Sequence, residues 1–273
     1  MIIKALVENT SVSKEYGCVH GLSLYIETEK HKILFDLGPG TLFLENALKM
    51  NVSIEDVDTV IISHGHNDHG GALKSFLEKN QKAKIYIREN AFEPYYYSVL
   101  GIKVYVGLDK GLEKCDRLIS TKGFYKIDDE LQLFSNITEQ KYISTTNKKL
   151  YQKVGKKYQN DTFEHEQSLI ISQQNEAILV AGCAHKGIVN IMEKAESITG
   201  KDINTVFSGF HIFQLSVKNV KHLQYLKELA AILKSKRSKF YTFHCTGIQP
   251  YEVLQQEMGQ QMNYISTGTV MEL

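Results

Sequence analysis

Short apolar runs alternate with amphipathic stretches along most of the chain. The first part of this pattern predicts strands at 2–7, 21–27, 32–37, 59–63 and 84–88, and helices at 42–50 and 72–79. The second and third of these strands are expected to pair as a hairpin. The later strand–helix–strand order is typical of a βαβ unit, which implies a sheet covered by helices.

The middle of the chain is less regular. Short strands are predicted at 104–106, 124–127 and 131–134. The stretch 139–161 is rich in Lys, Asn, Thr and Gln and poor in apolar residues. It is a candidate for a mobile connection or an active-site flap, and a plain surface loop is the alternative.

Clear order returns after residue 162. Strands 168–172 and 177–181 are expected to pair around a turn at Gln174 and Asn175. A helix is expected to follow Gly187 and to end near residue 197. The remaining apolar runs predict strands at 203–207, 239–243, 262–265 and 269–271, and helices at 220–233 and 251–257.

A histidine follows the end of an apolar strand four times: His64, His185, His211 and His244. In open α/β sheets the loops at strand ends build the binding site. The recurrence therefore favours one shared pocket over four unrelated core positions.

The stretch HGHNDH, which follows the strand at 59–63, concentrates His64, His66, Asp68 and His69 within six residues. Imidazole and carboxylate groups suit zinc and neighbouring transition metals. On an extended loop the first two histidines can reach one ion, and the other pair can reach a second ion about 3.5–4 Å away. The alternative is a hydrophilic turn. An exposed turn has no need of such a cluster, and burying it without partners would cost several kcal/mol.

Composition narrows the class of protein. The 273 residues, 42% of them hydrophobic, can form one large domain or two small ones. A net charge of +1 gives no reason to expect nucleic acid or a membrane as partner, so we expect a small-molecule substrate and leave oligomerisation open. The four cysteines form no CxxC pair, and no segment has the pattern of a secretory signal or of a membrane span. We expect a cytoplasmic protein without disulfides.

HGHNDH resembles the HxHxDH signature of the metallo-β-lactamase fold hydrolases. Four further strings resemble motifs of the branch related to the dihydropterin–ribofuranosylaminobenzene phosphate synthases of methanopterin biosynthesis: HGLS (20–23), GCAH (182–185), SGFH (208–211) and FHCTG (243–247). The resemblance spans about residues 16–248. It implies a single α/β domain over 1–273, a four-layer αβ/βα sandwich of two mixed sheets covered by helices. Its halves would be roughly 1–138 and 162–273, joined by the irregular polar segment.

The resemblance also implies two divalent transition metal ions, with zinc expected and manganese or iron open. One ion would be bound by His64, His66 and His185, and the other by Asp68, His69 and His244. Members of the fold often add a bridging aspartate from a later strand end, and no matching aspartate stands here. The nearest occupant is Cys183, either a thiolate ligand or a small thiol packed under the loop.

The roles of three further residues stay open, and a fourth feature concerns the substrate pocket. Asp36 either supports a ligand histidine or only caps a glycine-rich turn, and His20 either lines the site or is structural. His211 is a metal ligand, a core histidine or, as we favour, a donor to developing negative charge. His165-Glu166 stands where the branch tends to have an acidic pair, a change expected to alter the substrate pocket.

These features predict a dinuclear metallohydrolase that acts on an ester, phosphoester or amide-like bond. Asp68 would orient the nucleophile or accept its proton, and neutral histidine ligands imply that activity falls as they become protonated. Three other functions stay open. They are a pterin-linked synthase or transferase, a metal-binding scaffold or sensor, and a redox protein, since superfamily members with iron use related ligands.

Overall fold

The computed structural model describes residues 1–173 and 176–273. In this part of the chain the strands are β1 (Ile2–Val7), β2 (Ser23–Glu27), β3 (Lys32–Phe35), β4 (Thr59–Ile61), β5 (Lys84–Arg88), β6 (Tyr95–Val99), β7 (Ile102–Tyr105), β8 (Leu118–Thr121), β9 (Phe124–Lys126), β10 (Leu131–Phe134), β11 (Leu150–Val154), β12 (Lys157–Asn160), β13 (Ser168–Gln173), β14 (Glu176–Val180), β15 (Thr205–Phe207), β16 (Lys239–Thr242), β17 (Met262–Tyr264) and β18 (Val270–Glu272). The α-helices are α1 (Leu42–Lys49), α2 (Asn67–Gly70), α3 (Leu73–Lys79), α4 (Ile188–Thr199), α5 (Val220–Ser235) and α6 (Ile248–Met258).

The chain divides into two compact units, each made of more than one segment. Unit 1 consists of Met1–Lys122, Lys148–Gln167 and Ser266–Leu273. Unit 2 consists of Gly123–Asn147 and Ser168–Ile265. Among the described residues, no helix is both long enough and apolar enough to cross a lipid bilayer.

Unit 1 contains a mixed seven-stranded sheet in the order β18-β1-β2-β3-β4-β5-β8. The first four strands pair antiparallel, and the strands from β3 onward pair parallel. Helices α1 and α3 bury Phe43 and Phe76 in one core cluster with Leu34, Val60 and Ile85 of the central strands. The parallel arrangement places the end of β3, with Asp36, beside the end of β4 and the HGHNDH loop.

A second sheet of unit 1 is antiparallel and has four strands, in the order β12-β11-β6-β7. It includes the hairpin of β11 and β12, which occupies about half of the polar stretch predicted to be irregular. For this half the prediction was wrong, because short strands of mixed polar and apolar residues carry little periodic hydrophobic signal. The strands β6 and β8 were also missed.

Unit 2 contains the other seven-stranded sheet, in the order β17-β16-β15-β14-β13-β10-β9. Strands β14, β15, β16 and β17 are parallel neighbours, and the remaining pairs are antiparallel. The apolar stripe of α5 packs with α4 and α6 into one core cluster that also holds Leu179 and Val206 of the sheet. The turn predicted at Gln174 and Asn175 lies outside the described residues.

The fold class is therefore α/β with mixed sheets and covering helices, as the sequence predicts. Three strands have the predicted bounds, β1, β5 and β10, and most of the others differ by one or two residues. The expectation of a single domain with halves at 1–138 and 162–273 stays a prediction.

Candidate metal centre

The HGHNDH loop leaves the sheet of unit 1 at the end of β4 and runs into the single-turn helix α2. Gly65 lies so close to the Ala91 carbonyl that an added Cβ would stand 2.2 Å from its oxygen. The histidine rings of the loop lie close together: the ring centroid of His64 is 4.6 Å from that of His66 and 4.1 Å from that of His69. All three histidines are buried.

A chain of hydrogen bonds anchors two of these rings through Nδ1. The Ser63 hydroxyl donates to Asp36 Oδ2 over 2.7 Å, so its oxygen accepts from His64 Nδ1–H, 2.8 Å away. His69 Nδ1 lies 2.6 Å from the same Asp36 oxygen and donates to that carboxylate. Both rings therefore carry their proton on Nδ1, and Nε2 is the ring atom suited to bind a metal. Asp36 accepts from His69, and its role in support of a metal ligand stays a prediction.

Asp68 is partly exposed and stands between two histidines of unit 1. Its Oδ2 lies 3.3 Å from His20 Nε2 and 3.9 Å from His69 Nε2. The backbone oxygen of Asp68 also accepts the Leu22 N–H, which joins the HGLS string to the metal-type loop. His20 thus lines this group of side chains.

Sequence reasoning missed a buried carboxylate in the same unit. Asp161 follows β12, its side chain is fully buried, and its Oδ2 lies 3.7 Å from His66 Nε2 and 3.0 Å from His165 Nε2. The bridging aspartate is expected after a later apolar strand, whereas Asp161 follows β12, an exposed and mostly polar strand without a hydrophobic signal. The one clue in the sequence was His165-Glu166, which stands where the resembled branch tends to have an acidic pair.

Electrostatics keep Asp161 ionised. Burial is the largest influence and would raise the pKa of this carboxyl, but His165 and then His66 outweigh it and hold the pKa well below its ordinary value. Nearby, burial and then the charge of Asp161 raise the pKa of Tyr95, whose hydroxyl donates to the Asn90 carbonyl. Asp161 is therefore in the carboxylate form that binds cations.

In unit 2 three of the predicted strand-end histidines follow adjacent parallel strands. Val180, Phe207 and Tyr241 lie in register on β14, β15 and β16. The loops after these strands carry His185, His211 and His244, all buried. Since parallel strands end at the same edge of a sheet, one edge presents all three loops, as the sequence predicts.

The side chain of His185 is oriented by Asn147. Asn147 Nδ2 donates to the His185 carbonyl over 2.8 Å, so its Oδ1 faces His185 Nδ1, 3.1 Å away, as acceptor. His185 therefore also carries its proton on Nδ1 and directs Nε2 as ligand. Asn147 belongs to the polar stretch, so no local pattern marked it.

Two buried thiols accompany His211. The His211 N–H donates to Cys245 Sγ over 3.2 Å, and the ring centroids of His211 and His185 are 4.2 Å apart. One donor atom from each of Cys183, His211 and Cys245 lies within 4.8 Å of the others. This spacing suits either a thiolate ligand or a packed thiol at Cys183, and the role of His211 stays a prediction.

The loops of both units hold non-glycine residues in the left-handed region of backbone conformation. The φ values are 60° at Asp36, 51° at Ala184, 48° at His211 and 49° at His244. Such conformations cost energy and concentrate at functional sites. Their coincidence with the predicted strand ends supports a functional reading of these loops.

The residues fit a divalent transition metal centre. The donors are buried imidazoles and carboxylates, and three of the rings have the Nδ1 support that metal-binding histidines show. Unit 1 brings together six of the predicted residues: His20, Asp36, His64, His66, Asp68 and His69. Unit 2 supplies His185, His211, His244 and Cys183. That His185 and His244 share the metals of the unit 1 ligands stays a prediction from the resemblance.

Comparisons of sequence agree with this chemistry. Residues 16–146 match the model of the Metallo-beta-lactamase superfamily. An uncharacterized protein of Methanocaldococcus jannaschii is 29% identical over 93% of this chain and 94% of its own length. The 7,8-dihydropterin-6-methyl-4-(beta-D-ribofuranosyl)-aminobenzene-5'-phosphate synthase of the same organism is 25% identical over 93% of this chain and 90% of its own.

Comparison of structures adds the fold. The crystal structure of Tm1679, described as a metal-dependent hydrolase of the beta-lactamase superfamily, has a TM-score of 0.83 and 23% identity, and the match covers 100% of this chain and 99% of that one. The mixed sheets with covering helices are therefore those of the metallo-beta-lactamase fold. The chain therefore has the metallo-beta-lactamase fold, and over residues 16–146 its sequence is similar to that superfamily.

Proposed function

We propose that the protein is a metal-dependent hydrolase that cleaves an ester, phosphoester or amide-like bond of a small molecule. The observation that carries this proposal is the network in which Asp36 and Ser63 fix the Nδ1 protons of His69 and His64. At metal sites a ligand histidine usually donates its other ring N–H to a neighbouring acceptor, which fixes the tautomer and the orientation of the ring. Two histidines of this buried loop have that arrangement, as expected of a catalytic metal site. The superfamily and the hydrolase description of Tm1679 point the same way.

The proposed centre contains two divalent ions, zinc in first place. Its ligands are those that the resemblance implies: His64, His66 and His185 for one ion, and Asp68, His69 and His244 for the other. Bound divalent ions would acidify water and polarise the bond under attack.

The side chains of this chain have separate proposed tasks. Asp68 orients the attacking water and accepts its proton, and His20, 3.3 Å from that carboxylate, holds it in place. His211 donates to the oxygen on which negative charge develops. The partial exposure of Asp68 suits this task, because a proton acceptor has to be reached by substrate and water.

A pterin-linked synthase or transferase is the second candidate. Its support is the synthase of M. jannaschii, which aligns with nearly the full length of both chains. A metal-binding scaffold or sensor is the third, and the intact set of ligand-type residues weighs against it.

Metal analysis and a substrate panel test the proposal. We expect about two transition metal ions per chain and turnover of phosphodiester or ester substrates with added zinc or manganese. The double variant Asp68→Ala, His69→Ala should abolish turnover and keep the far-UV circular dichroism spectrum. Unchanged turnover would refute the site, and metal-free protein with an inert panel would favour the scaffold.

A further inference from the structure

Asp161 is held in place through both its backbone and its side chain. It stands where the antiparallel hairpin of β11 and β12 returns toward the HGHNDH loop, and its backbone N–H donates to the Leu150 carbonyl. Its partners Leu150, Phe163, His165 and His66 all belong to unit 1.

The orientation of the carboxylate is set by two hydrogen bonds. Oδ1 accepts the Phe163 N–H over 2.7 Å, and Oδ2 accepts from His165 Nε2 over 3.0 Å. His165 has no choice of tautomer, because its Nδ1 accepts the Gly65 N–H over 2.8 Å. Its proton is therefore on Nε2, and His165 is a donor to Asp161 and not a metal ligand.

The segment that carries these residues is bound to the end of β4. The Gln167 N–H donates to the Ser63 carbonyl, and Gln167 Nε2 donates to the Ile62 carbonyl over 2.8 Å. Phe163 adopts a left-handed φ of 56°, which is unfavourable for an aromatic residue and persists only where surrounding contacts impose it. The strain lies between Asp161 and His165, the two residues whose side chains must meet.

Asp161 Oδ2 also faces the HGHNDH loop, 3.7 Å from His66 Nε2. Metal–nitrogen and metal–oxygen bonds of about 2.0–2.2 Å put two ligands of one ion roughly 3–4 Å apart, so one cation can bind both atoms. A carboxylate oxygen has two lone pairs, so Oδ2 can accept the hydrogen bond from His165 and bind a cation at the same time.

We infer that Asp161 is a ligand of the cation that His66 binds, and that His165 is its positioning residue. The inference rests on the metal centre of the proposed function and adds to that centre a buried carboxylate that follows β12 and that sequence reasoning missed. A buried carboxylate beside imidazoles selects a divalent cation of the zinc, manganese or iron(II) type over soft monovalent copper.

Binding of Co²⁺ and Zn²⁺, measured without substrate, tests the inference. Asp161→Asn keeps the shape of the side chain and removes its charge. We expect Zn²⁺ affinity, measured by chelator competition, to fall roughly 100-fold, and the visible absorption bands of the Co²⁺ protein to shift, as in His66→Gln. The exposed Asp116→Asn makes the same charge change away from the loop and should leave both readouts unchanged.

Two variants of His165 separate positioning from mere packing. His165→Gln keeps an N–H donor and should retain most of the affinity, whereas His165→Leu should lose about tenfold and broaden the Co²⁺ bands. If Asp161→Asn does not fold, Asp161→Glu replaces it, with displaced Co²⁺ bands as the expected result.

The outcomes also separate this inference from the proposed function. Wild-type protein that binds neither ion would overturn the metal centre itself. Wild-type protein that binds metal, with Asp161→Asn (or Asp161→Glu in its place) identical to it in affinity and in Co²⁺ spectrum, would overturn the ligand role of Asp161 alone. Equal behaviour of His165→Gln and His165→Leu would overturn the positioning role.

Discussion

His69 Nδ1 lies 2.6 Å from Asp36 Oδ2, and both side chains are fully buried. The contact joins two loops of unit 1 that are 33 residues apart in sequence. Since Ser63 donates to the same carboxylate, one aspartate sets the tautomer of two ligand-type histidines. This geometry makes Asp36 the support of the HGHNDH loop.

Replacing Asp36 should weaken metal binding, although Asp36 is not itself a proposed metal ligand. In Asp36→Asn only one of the two side-chain positions is still an acceptor. An NH2 group at the Oδ2 position removes the acceptor of both His69 Nδ1 and the Ser63 hydroxyl, and an NH2 group at the Oδ1 position faces the Ser63 N–H. We expect Zn²⁺ affinity to fall about 10- to 100-fold, as measured by chelator competition. The exposed Asp202→Asn is the matched control, and equal affinities in the two variants would contradict the support role of Asp36.

Asn147 should act on His185 in the same manner. Asn147→Leu removes the acceptor for Nδ1–H, while Asn147→Asp keeps an acceptor and loses only the donor to the His185 carbonyl. The leucine variant is expected to bind metal about tenfold more weakly than the aspartate variant, by elemental analysis after dialysis against graded metal buffers. Equal loss in both variants would mean that the acceptor at Nδ1 does not matter.

Gly65 should tolerate no side chain. In Gly65→Ala the Cβ would collide with the Ala91 backbone oxygen, so the loop or the strand must shift. We expect a loss of about 1–3 kcal/mol in the free energy of unfolding, measured by denaturant titration. Gly40→Ala has no atom within 4 Å of the added Cβ and should be close to neutral; equal stabilities would argue against the close approach.

Removal of metal should lower thermal stability. A ligand that binds only the native state stabilises it by about 2.7 kcal/mol at a free concentration of 100 times its Kd. For a chain of this size that corresponds to a fall of several degrees, on the order of 2–4 °C per kcal/mol, when a chelator is added. Zinc added in excess should restore the original Tm, and chelator pre-loaded with zinc should have no effect. An unchanged Tm would indicate that the native protein binds no stabilising metal.

Much of the fold was predictable because its signals are local. The bounds of β1, β5 and β10 follow from runs of apolar, mostly β-branched and leucine residues. The stripe of α5 follows from its helical repeat. The strands β11 and β12 escaped prediction because they mix polar and apolar residues without a clear period, and β12 is exposed throughout. Their formation depends on the pairing of β11 with β6, some 50 residues away.

The candidate site likewise has residues that local sequence signals reveal and partners that only the tertiary structure reveals. Adjacent residues of one loop make His64, His66, Asp68 and His69 a recognisable metal-binding pattern, and the strand ends mark His185, His211 and His244. The sequence by itself thus determined which side chains have the chemistry to bind metal. Tertiary structure decided how they are held, through Asp36, Asn147 and the Asp161–His165 pair. The residues that these hydrogen bonds join across the loops are 27 to 100 positions apart in the sequence. A hydrogen bond between two distant segments produces no periodic pattern in the sequence of either segment.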